Sequence, residues 1–247
     1  MNLNLNEAAY QRIRDHILDG TFSLGTPLSR RKLSDLLNMS LVPVAQALQR
    51  LELEGLVESL PRVGTRVKIP GPDEVRGHYV VREALEAQVA RMFVRTATRA
   101  QKKLAHSESL QLDRDFAVYF GAAEEQRSHG VHHSHVQFHH DLAEVSGCLA
   151  LVHQLEKSQV LQLNLRYTLV MPSALPRDWH KQLVDKLCSG SEEDADRAMR
   201  RHVSYRMEEV IATYERLLAS GDKPNVSYRG PQRRRLAADV RENAATS

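Results

Sequence analysis

The sequence contains little of what marks secreted, disulfide-bonded or membrane proteins. Of its 247 residues only Cys148 and Cys188 are cysteines, which suits a reducing compartment and argues against a disulfide framework. No stretch approaches the roughly 18 apolar residues that a membrane-spanning helix needs. The first residues also lack the basic and apolar regions of a signal peptide. These absences predict a cytoplasmic protein with no membrane partner.

The charge of the chain is small and unevenly distributed. The net charge is +3, with an excess of Lys and Arg in residues 1–70 and 221–247 and a slight excess of Asp and Glu in residues 71–220. Basic ends suit contacts with phosphates. The alternative is a surface whose charges only maintain solubility, and charge alone favours that alternative.

Residues 28–68 form the most informative segment. Ser29 and Ser40 are suitable N-caps for two helices, and Gly55 predicts the end of the second. Apolar spacing predicts that the first of these helices buries three leucines, Leu33, Leu36 and Leu37. Two short strands, 56–60 and 65–69, follow around a turn that contains Pro61 and Gly64.

Two helices followed by a β-hairpin describe a winged helix-turn-helix, whose second helix enters the major groove of DNA. An earlier helix over about 6–18 completes the predicted module, residues 1–70. Counted from that first helix, the helix that enters the groove is the third of the module. The candidate DNA contacts are polar and basic residues at the helix starts, on the third helix and in the wing. They are Arg31, Lys32, Ser40, Gln46, Arg50, Arg62, Gly64 and Arg66. The alternative is a small helical subdomain with a solvated basic rim.

Pro70-Gly71-Pro72 predicts a linker, because neither proline donates a backbone hydrogen bond and the preceding residues avoid helix. Asp73 is then a candidate N-cap of a long helix. Helical periodicity continues with almost no strand pattern, which predicts that residues 73–220 form an all-α antiparallel bundle. Its last helix is expected over about 192–219. Residues 221–247 are polar and basic, which is typical of a disordered tail.

Histidine is concentrated in one short stretch: six of the twelve histidines lie in residues 129–140. His135 and His139 are four residues apart and share a helix face. Together with His180 and His202 they offer four imidazoles that, if they converge inside the bundle, would bind Zn²⁺ or another transition metal. The alternative is a solvated helix start. The other four histidines of the stretch 129–140 are expected at the surface: His129, His132, His133 and His140.

The N-terminal segment resembles the DNA-binding domain of the GntR family of bacterial transcription regulators, which often reads L-S-E-R-x-L-A-x-x-L-G-V-S-R-T-P-V-R-E-A-L-x-R-L-E-x-E-G-L-V. The matching residues are Leu28, Ser29, Arg31, Leu33, Leu37, Ser40, Pro43, Val44, Ala47, Leu48, Arg50, Leu51, Glu52, Glu54, Gly55, Leu56 and Val57. The later region is similar to the FCD ligand-binding domain of the FadR-like branch, through the segments 81–86, 138–139 and 146–147 and through His180 and Arg201-His202. The resemblance implies a homodimeric, ligand-responsive regulator that binds an operator in double-stranded DNA.

The resemblance also implies a metal site. Metal-binding members use an Asp, a His four residues later and two His from later helices. The three His positions correspond here to His139, His180 and His202, and His135 stands at the position of the Asp. Alternatively, His135 turns away and the other three histidines hold the metal with open positions for water or a ligand. Replacing a carboxylate by imidazole favours Zn²⁺, with Ni²⁺ as a further candidate, over Mn²⁺. In the family a small organic acid commonly lies beside the metal. Arg82 is the candidate contact for its carboxylate, and Asn164 is a further candidate lining the effector pocket. The alternative for Arg82 is a salt bridge to Glu86, four residues later on the same helix.

The sequence departs from the family at two DNA-reading positions: Leu41 and Ala45 stand where relatives have arginines. We therefore expect DNA binding with an unusual sequence preference, or weaker binding that depends on the remaining cations. Two alternatives to a regulator stay open. One is a metal-dependent enzyme that uses the histidines. The sequence contains no HExxH motif and no nucleophile elbow, which argues against this alternative. The other is a metal-stabilised helical protein with weakened DNA binding.

Overall fold

A computed structural model describes residues 5–18, 20–122, 130–158, 160–161, 163 and 175–220. Its helices are α1 (Leu5–Leu18), α2 (Arg30–Leu37), α3 (Leu41–Leu53), α4 (Pro72–Thr96), α5 (Arg99–Gly121), α6 (Gly130–Val145), α7 (Leu149–Ser158), α8 (Trp179–Ser189), α9 (Glu192–Val203) and α10 (Met207–Ser220). Its strands are β1 (Pro27–Leu28), β2 (Val57–Leu60) and β3 (Gly64–Val67). The predicted disordered tail, His129 and Asn164 lie outside the described residues.

The first three helices form a compact module in which α1 packs against α3. Ser29 caps α2, because its Oγ accepts a hydrogen bond from the backbone N–H of Lys32. Asn38 ends α2 in the left-handed conformation, with φ of 52°, which turns the chain into α3. Burial of Leu33 and Leu37 is confirmed. The prediction for Leu36 is wrong, since its side chain points to solvent and is 58% exposed.

The wing is a three-stranded antiparallel sheet with the order β1-β3-β2. The predicted hairpin is present, and Leu60 pairs with Gly64 at its tip. Arg62 and Gly64 in this turn have φ of 65° and 104°, and the second of these values favours glycine because a Cβ would be strained there. The sequence did not reveal β1, because two residues are too few to show alternation.

Helix α4 is the central element of the second domain and contacts α6, α9 and α10. It begins at Pro72 with Gly71 as N-cap, so Asp73 lies in the first turn and is not the predicted cap. The prolines therefore join the two domains without an extended linker, because Pro is well tolerated at the first position of a helix. The rest of the domain is helical throughout the described residues, as predicted.

The predicted helix over 192–219 is in fact two helices, α9 and α10. The break lies at residues 204–206, where Arg206 adopts φ of 61°. No glycine or proline marks this position, so helical periodicity continues through it and the break was missed. Within the described part of the chain, no helix combines the length and the hydropathy that crossing a membrane requires.

Candidate metal centre and nucleic-acid interface

Three histidines from two helices meet at the centre of the second domain. His135 and His139 extend from α6 and His202 from α9, and one ring nitrogen of each lies within 4.8 Å of the others. The Nε2 atom of His139 is 3.0 Å from that of His135 and 3.3 Å from that of His202. Imidazole nitrogens gathered this closely are a donor set for a transition metal. His135 therefore points into the group, as a residue at a ligand position should.

His180 of α8 lies beside this group. Its ring centroid is 4.9 Å from that of His135 and 5.2 Å from that of His202. Its Nδ1 is 2.7 Å from Oδ1 of Asp113, and its buried Nε2 has no hydrogen-bond partner among the described residues. A buried nitrogen without a partner is costly, and a metal would relieve that cost. The four predicted ligands thus fit a metal, although His180 lies slightly apart from the close group of three.

Two carboxylates orient these histidines, and the sequence did not reveal their role. Asp113 of α5 accepts hydrogen bonds from the backbone N–H groups of His180 and Lys181 as well as bonding the imidazole of His180. Glu86 of α4 contacts Nδ1 of His139 in the same way. A carboxylate on Nδ1 fixes the tautomer that leaves Nε2 free for a metal. No spacing rule could have found this pairing, because each carboxylate and its histidine are far apart in the chain.

Arg82 is buried between Glu86 and the histidines, with 7% of its surface exposed. Its Nε donates to Glu86 at 2.5 Å, and Nη2 lies 3.5 Å from Nε2 of His139. Burial by itself would raise the pKa of Glu86, but the charges and hydrogen bonds of Arg82 and His139 lower that pKa to about 2. Glu86 is therefore ionised at neutral pH and compensates the buried guanidinium.

The surroundings favour the neutral forms of His135, His180 and His202. Burial is the largest cause that lowers the pKa values of His135 and His202 well below their usual range, and His139 adds to it. Burial also lowers the pKa of His180, against the opposing effect of Asp113. Neutral imidazoles have a free lone pair, so they can bind a metal at physiological pH without first losing a proton.

Aromatic rings enclose the histidines. Trp179 stacks on His202 with 5.3 Å between ring centroids, and Phe116 stacks on His180 at 5.4 Å. His132 packs edge-on against Phe116 and Tyr119 and is only 9% exposed. The prediction that His132 is a surface residue is therefore wrong: about one turn before His135 and two turns before His139 on α6, it faces the same apolar interior.

A pocket of about 450 Å³ opens beside this centre, between α8 and α9. Its lining includes His202, Trp179 and Arg201, whose guanidinium lies 5.6 Å from the centroid of the Trp179 ring. The pocket brings solvent to the outer side of the histidine group. Arg82, the predicted effector contact, is not part of this lining.

Several of the candidate DNA contacts are exposed in the first module. Arg31 and Lys32 are exposed in the first turn of α2, and their side chains form no ion pair within the described part of the chain. Ser40 and Gln46 are exposed on α3, and Ser40 makes no side-chain capping bond. Arg62 is exposed at the tip of the wing. These positions match the parts of a winged helix-turn-helix that face DNA.

Two of the candidate arginines are held by acidic partners. Arg50 donates to Glu7 at 2.7 Å and to Glu54 at 3.2 Å, and its guanidinium lies 3.5 Å from the centroid of the Tyr10 ring. Arg66 donates to Glu58 at 2.7 Å. Spacing along the chain could not predict the contacts of Arg50 with Glu7 and Tyr10 of α1, because these residues are 43 and 40 positions away.

Comparisons with known proteins identify the family. A family model described as "Bacterial regulatory proteins, gntR family" matches residues 5–67, and the FCD domain model matches residues 78–205. The chain belongs to the GntR family and carries an FCD domain. It is thus a DNA-binding transcription regulator, and the resemblance found in the sequence is confirmed.

Relatives of this GntR-family chain agree with that assignment. The HTH-type transcriptional repressor RspR of Escherichia coli strain K12 is 26% identical over 209 residues, which cover 83% of this chain and 89% of RspR. The fold is shared with a GntR regulator from Rhodococcus sp. RHA1, at a TM-score of 0.67 and 22% identity, over 85% of this chain and 98% of that one. The fold is also shared with E. coli McbR/YncC, at a TM-score of 0.63 and 18% identity, over 87% of this chain and 99% of that one.

Proposed function

We propose that this GntR-family regulator binds operator DNA as a homodimer and responds to a small organic acid beside a bound transition metal. The observation that carries the proposal is the convergence of His135, His139 and His202, with His180 beside them. Nitrogen donors of this kind favour Zn²⁺, with Ni²⁺ as the next candidate. A bound metal would supply a Lewis-acidic position at which a carboxylate can bind.

The effector would be recognised by charge and shape. The guanidinium of Arg82 matches a carboxylate in geometry and charge, and its position 3.5 Å from His139 Nε2 puts it next to the metal ligands. The same guanidinium is now held by Glu86. An acid that binds Arg82 must therefore share its guanidinium with Glu86. Because both residues lie on α4, effector binding would perturb that helix. Asn164 remains a further predicted contact.

Helix α4 would transmit that perturbation to the DNA-binding module. It carries both Arg82 and Glu86, and near its start Glu74 forms an ion pair of 2.8 Å with Lys68, the residue after β3 of the wing. An effector shifts the affinity for DNA only if it binds one arrangement of the two modules more tightly than another. A continuous helix from the wing to the histidine group is a suitable element for such coupling.

The metal is tested by elemental analysis of the purified protein. We expect about one transition-metal ion per chain, because the histidines form a single site, and a large loss in His139→Ala. His133→Ala is the matched control, because His133 is an exposed histidine on the same helix. Equal metal content in both variants and the wild type would contradict the assignment.

DNA binding and response are tested by gel shift or footprinting on the DNA that flanks the protein's own gene. We expect a complex with a preferred sequence at physiological salt, and a change in its affinity with a chelator or with candidate carboxylic acids. A complex that is insensitive to both would contradict the sensing function. Failure to form any sequence-preferring complex would instead favour a metal-stabilised helical protein with weakened DNA binding.

A further inference from the structure

From Leu41 to Gln49, the exposed residues of α3 are uncharged and partly apolar. Leu41 and Val42, the first two residues of the helix, are 53% and 64% exposed. Ala45 follows one turn later at intermediate exposure, and Gln46 and Gln49 continue the exposed face. Among the described residues, these large apolar side chains remain mostly exposed. They would become buried only if another molecule bound to the N-terminal end of α3.

Arg50 is the one basic residue of α3, and it is not positioned to contact DNA bases from this face. It lies on the C-terminal half of the helix, where Glu7, Glu54 and the Tyr10 ring hold its guanidinium. Guanine is most often read by a bidentate Arg or Lys in the major groove. The N-terminal face of α3 has no residue that can make this contact.

The charge around this apolar face is suited to nucleic acid. Arg30, Arg31 and Lys32 are exposed in the first turn of α2, the neighbouring helix of the helix-turn-helix, and Arg62 is exposed at the wing tip. Such cations contact phosphates and orient the module without reading sequence. The occupant that fits a neutral, apolar patch flanked by cations is therefore the floor of the DNA major groove.

We propose that Leu41 and Val42 recognise thymine methyl groups, so that the operator half-site has A·T pairs at the positions facing the start of α3. In the major groove only thymine presents a methyl group, and it is read by apolar contact. This inference rests on the proposed docking of α3 in the major groove. It goes further by naming the chemical group that the helix recognises.

The test first obtains the preferred site by selecting bound duplexes from a random library with the full-length protein. The thymines of each half-site are then replaced one at a time by deoxyuridine, which lacks only the methyl group, and affinity is measured by fluorescence anisotropy. We expect wild-type affinity to fall about fourfold at one or two positions, which is ~0.8 kcal/mol for one buried methyl-sized group converted at ~1.4 kcal/mol per tenfold.

Variants of α3 test whether this helix causes the loss of affinity on deoxyuridine substitution. Leu41→Ala should bind the thymine site more weakly and lose most of its sensitivity to deoxyuridine at the same position. Leu53→Ala is the matched control, since Leu53 is 90% exposed at the other end of α3, and it should keep the full sensitivity. Leu41→Arg should shift the selected base toward guanine.

The outcomes separate this inference from the proposed function. A selected site without thymine at the half-site core, or deoxyuridine effects that persist unchanged in Leu41→Ala, would overturn thymine recognition while leaving DNA binding intact. Absence of any selected sequence would overturn the docking of α3 as well. Retained deoxyuridine sensitivity in Leu53→Ala together with its loss in Leu41→Ala would support the assignment.

Discussion

The buried pair of Arg82 and Glu86 provides a quantitative prediction for Glu86→Gln, which keeps the size of the side chain and removes its charge. Folding lowers the pKa of Glu86 from 4.5 to about 2. At ~1.4 kcal/mol per pKa unit, this corresponds to about 3 kcal/mol of stability at neutral pH. This free energy is similar to the roughly 3–5 kcal/mol that breaking a buried ion pair costs. The glutamine would leave a buried guanidinium without its counter-charge.

The assay is urea unfolding of the metal-free protein followed by circular dichroism. Glu83→Gln is the matched control: it lies one turn away on α4 and also pairs with an arginine, Arg200, at 2.7 Å, but that pair is at the surface and should contribute under about 1 kcal/mol. We expect Glu86→Gln to lower the free energy of unfolding by about 3 kcal/mol at pH 7. An effect no larger than that of Glu83→Gln would refute the assigned role of the buried pair.

The pH dependence gives the same prediction a second test. Because the folded pKa lies below the unfolded one, the stabilisation is fully present above about pH 4.5 and is lost as the pH falls through about 2. The difference in the free energy of unfolding between wild type and Glu86→Gln should therefore decrease from about 3 kcal/mol at pH 7 to about 2 kcal/mol at pH 3.5. A difference that stays constant, or widens, on acidification would show that ionisation of Glu86 is not its cause.

Three further predictions concern the second carboxylate and the DNA-binding module. Asp113→Asn should weaken metal binding about 10- to 100-fold by releasing the ring of His180, measured by competition with a chromogenic chelator; an unchanged affinity would separate His180 from the site. Arg31→Ala should weaken binding to all DNA sequences about equally and reduce the salt slope by about 1; a loss confined to one sequence would contradict a phosphate contact. Arg50→Ala should cost about 1 kcal/mol in urea unfolding yet leave that salt slope unchanged, because its guanidinium already contacts Glu7 and Glu54.

Local sequence signals predicted the elements whose causes are local. Ser29 as an N-cap, Gly55 at the end of α3 and the hairpin after it depend on residues within a few positions, so pattern and resemblance were sufficient. The same signals failed where the cause was distant or weak. They placed Leu36 in the core, although its side chain points to solvent, and they continued one helix through the left-handed Arg206.

The sequence by itself determined the family, the helix-turn-helix with its wing, and four histidines worth testing as ligands. Only the tertiary structure decided which polar groups meet: His139 with Glu86, His180 with Asp113, and Arg50 with Glu7. Each of these contacts joins different helices, so it depends on how the helices pack and not on spacing along the chain. The chemistry of the centre is therefore fixed by packing, because burial keeps His135, His180 and His202 neutral and the carboxylate partners orient His139 and His180.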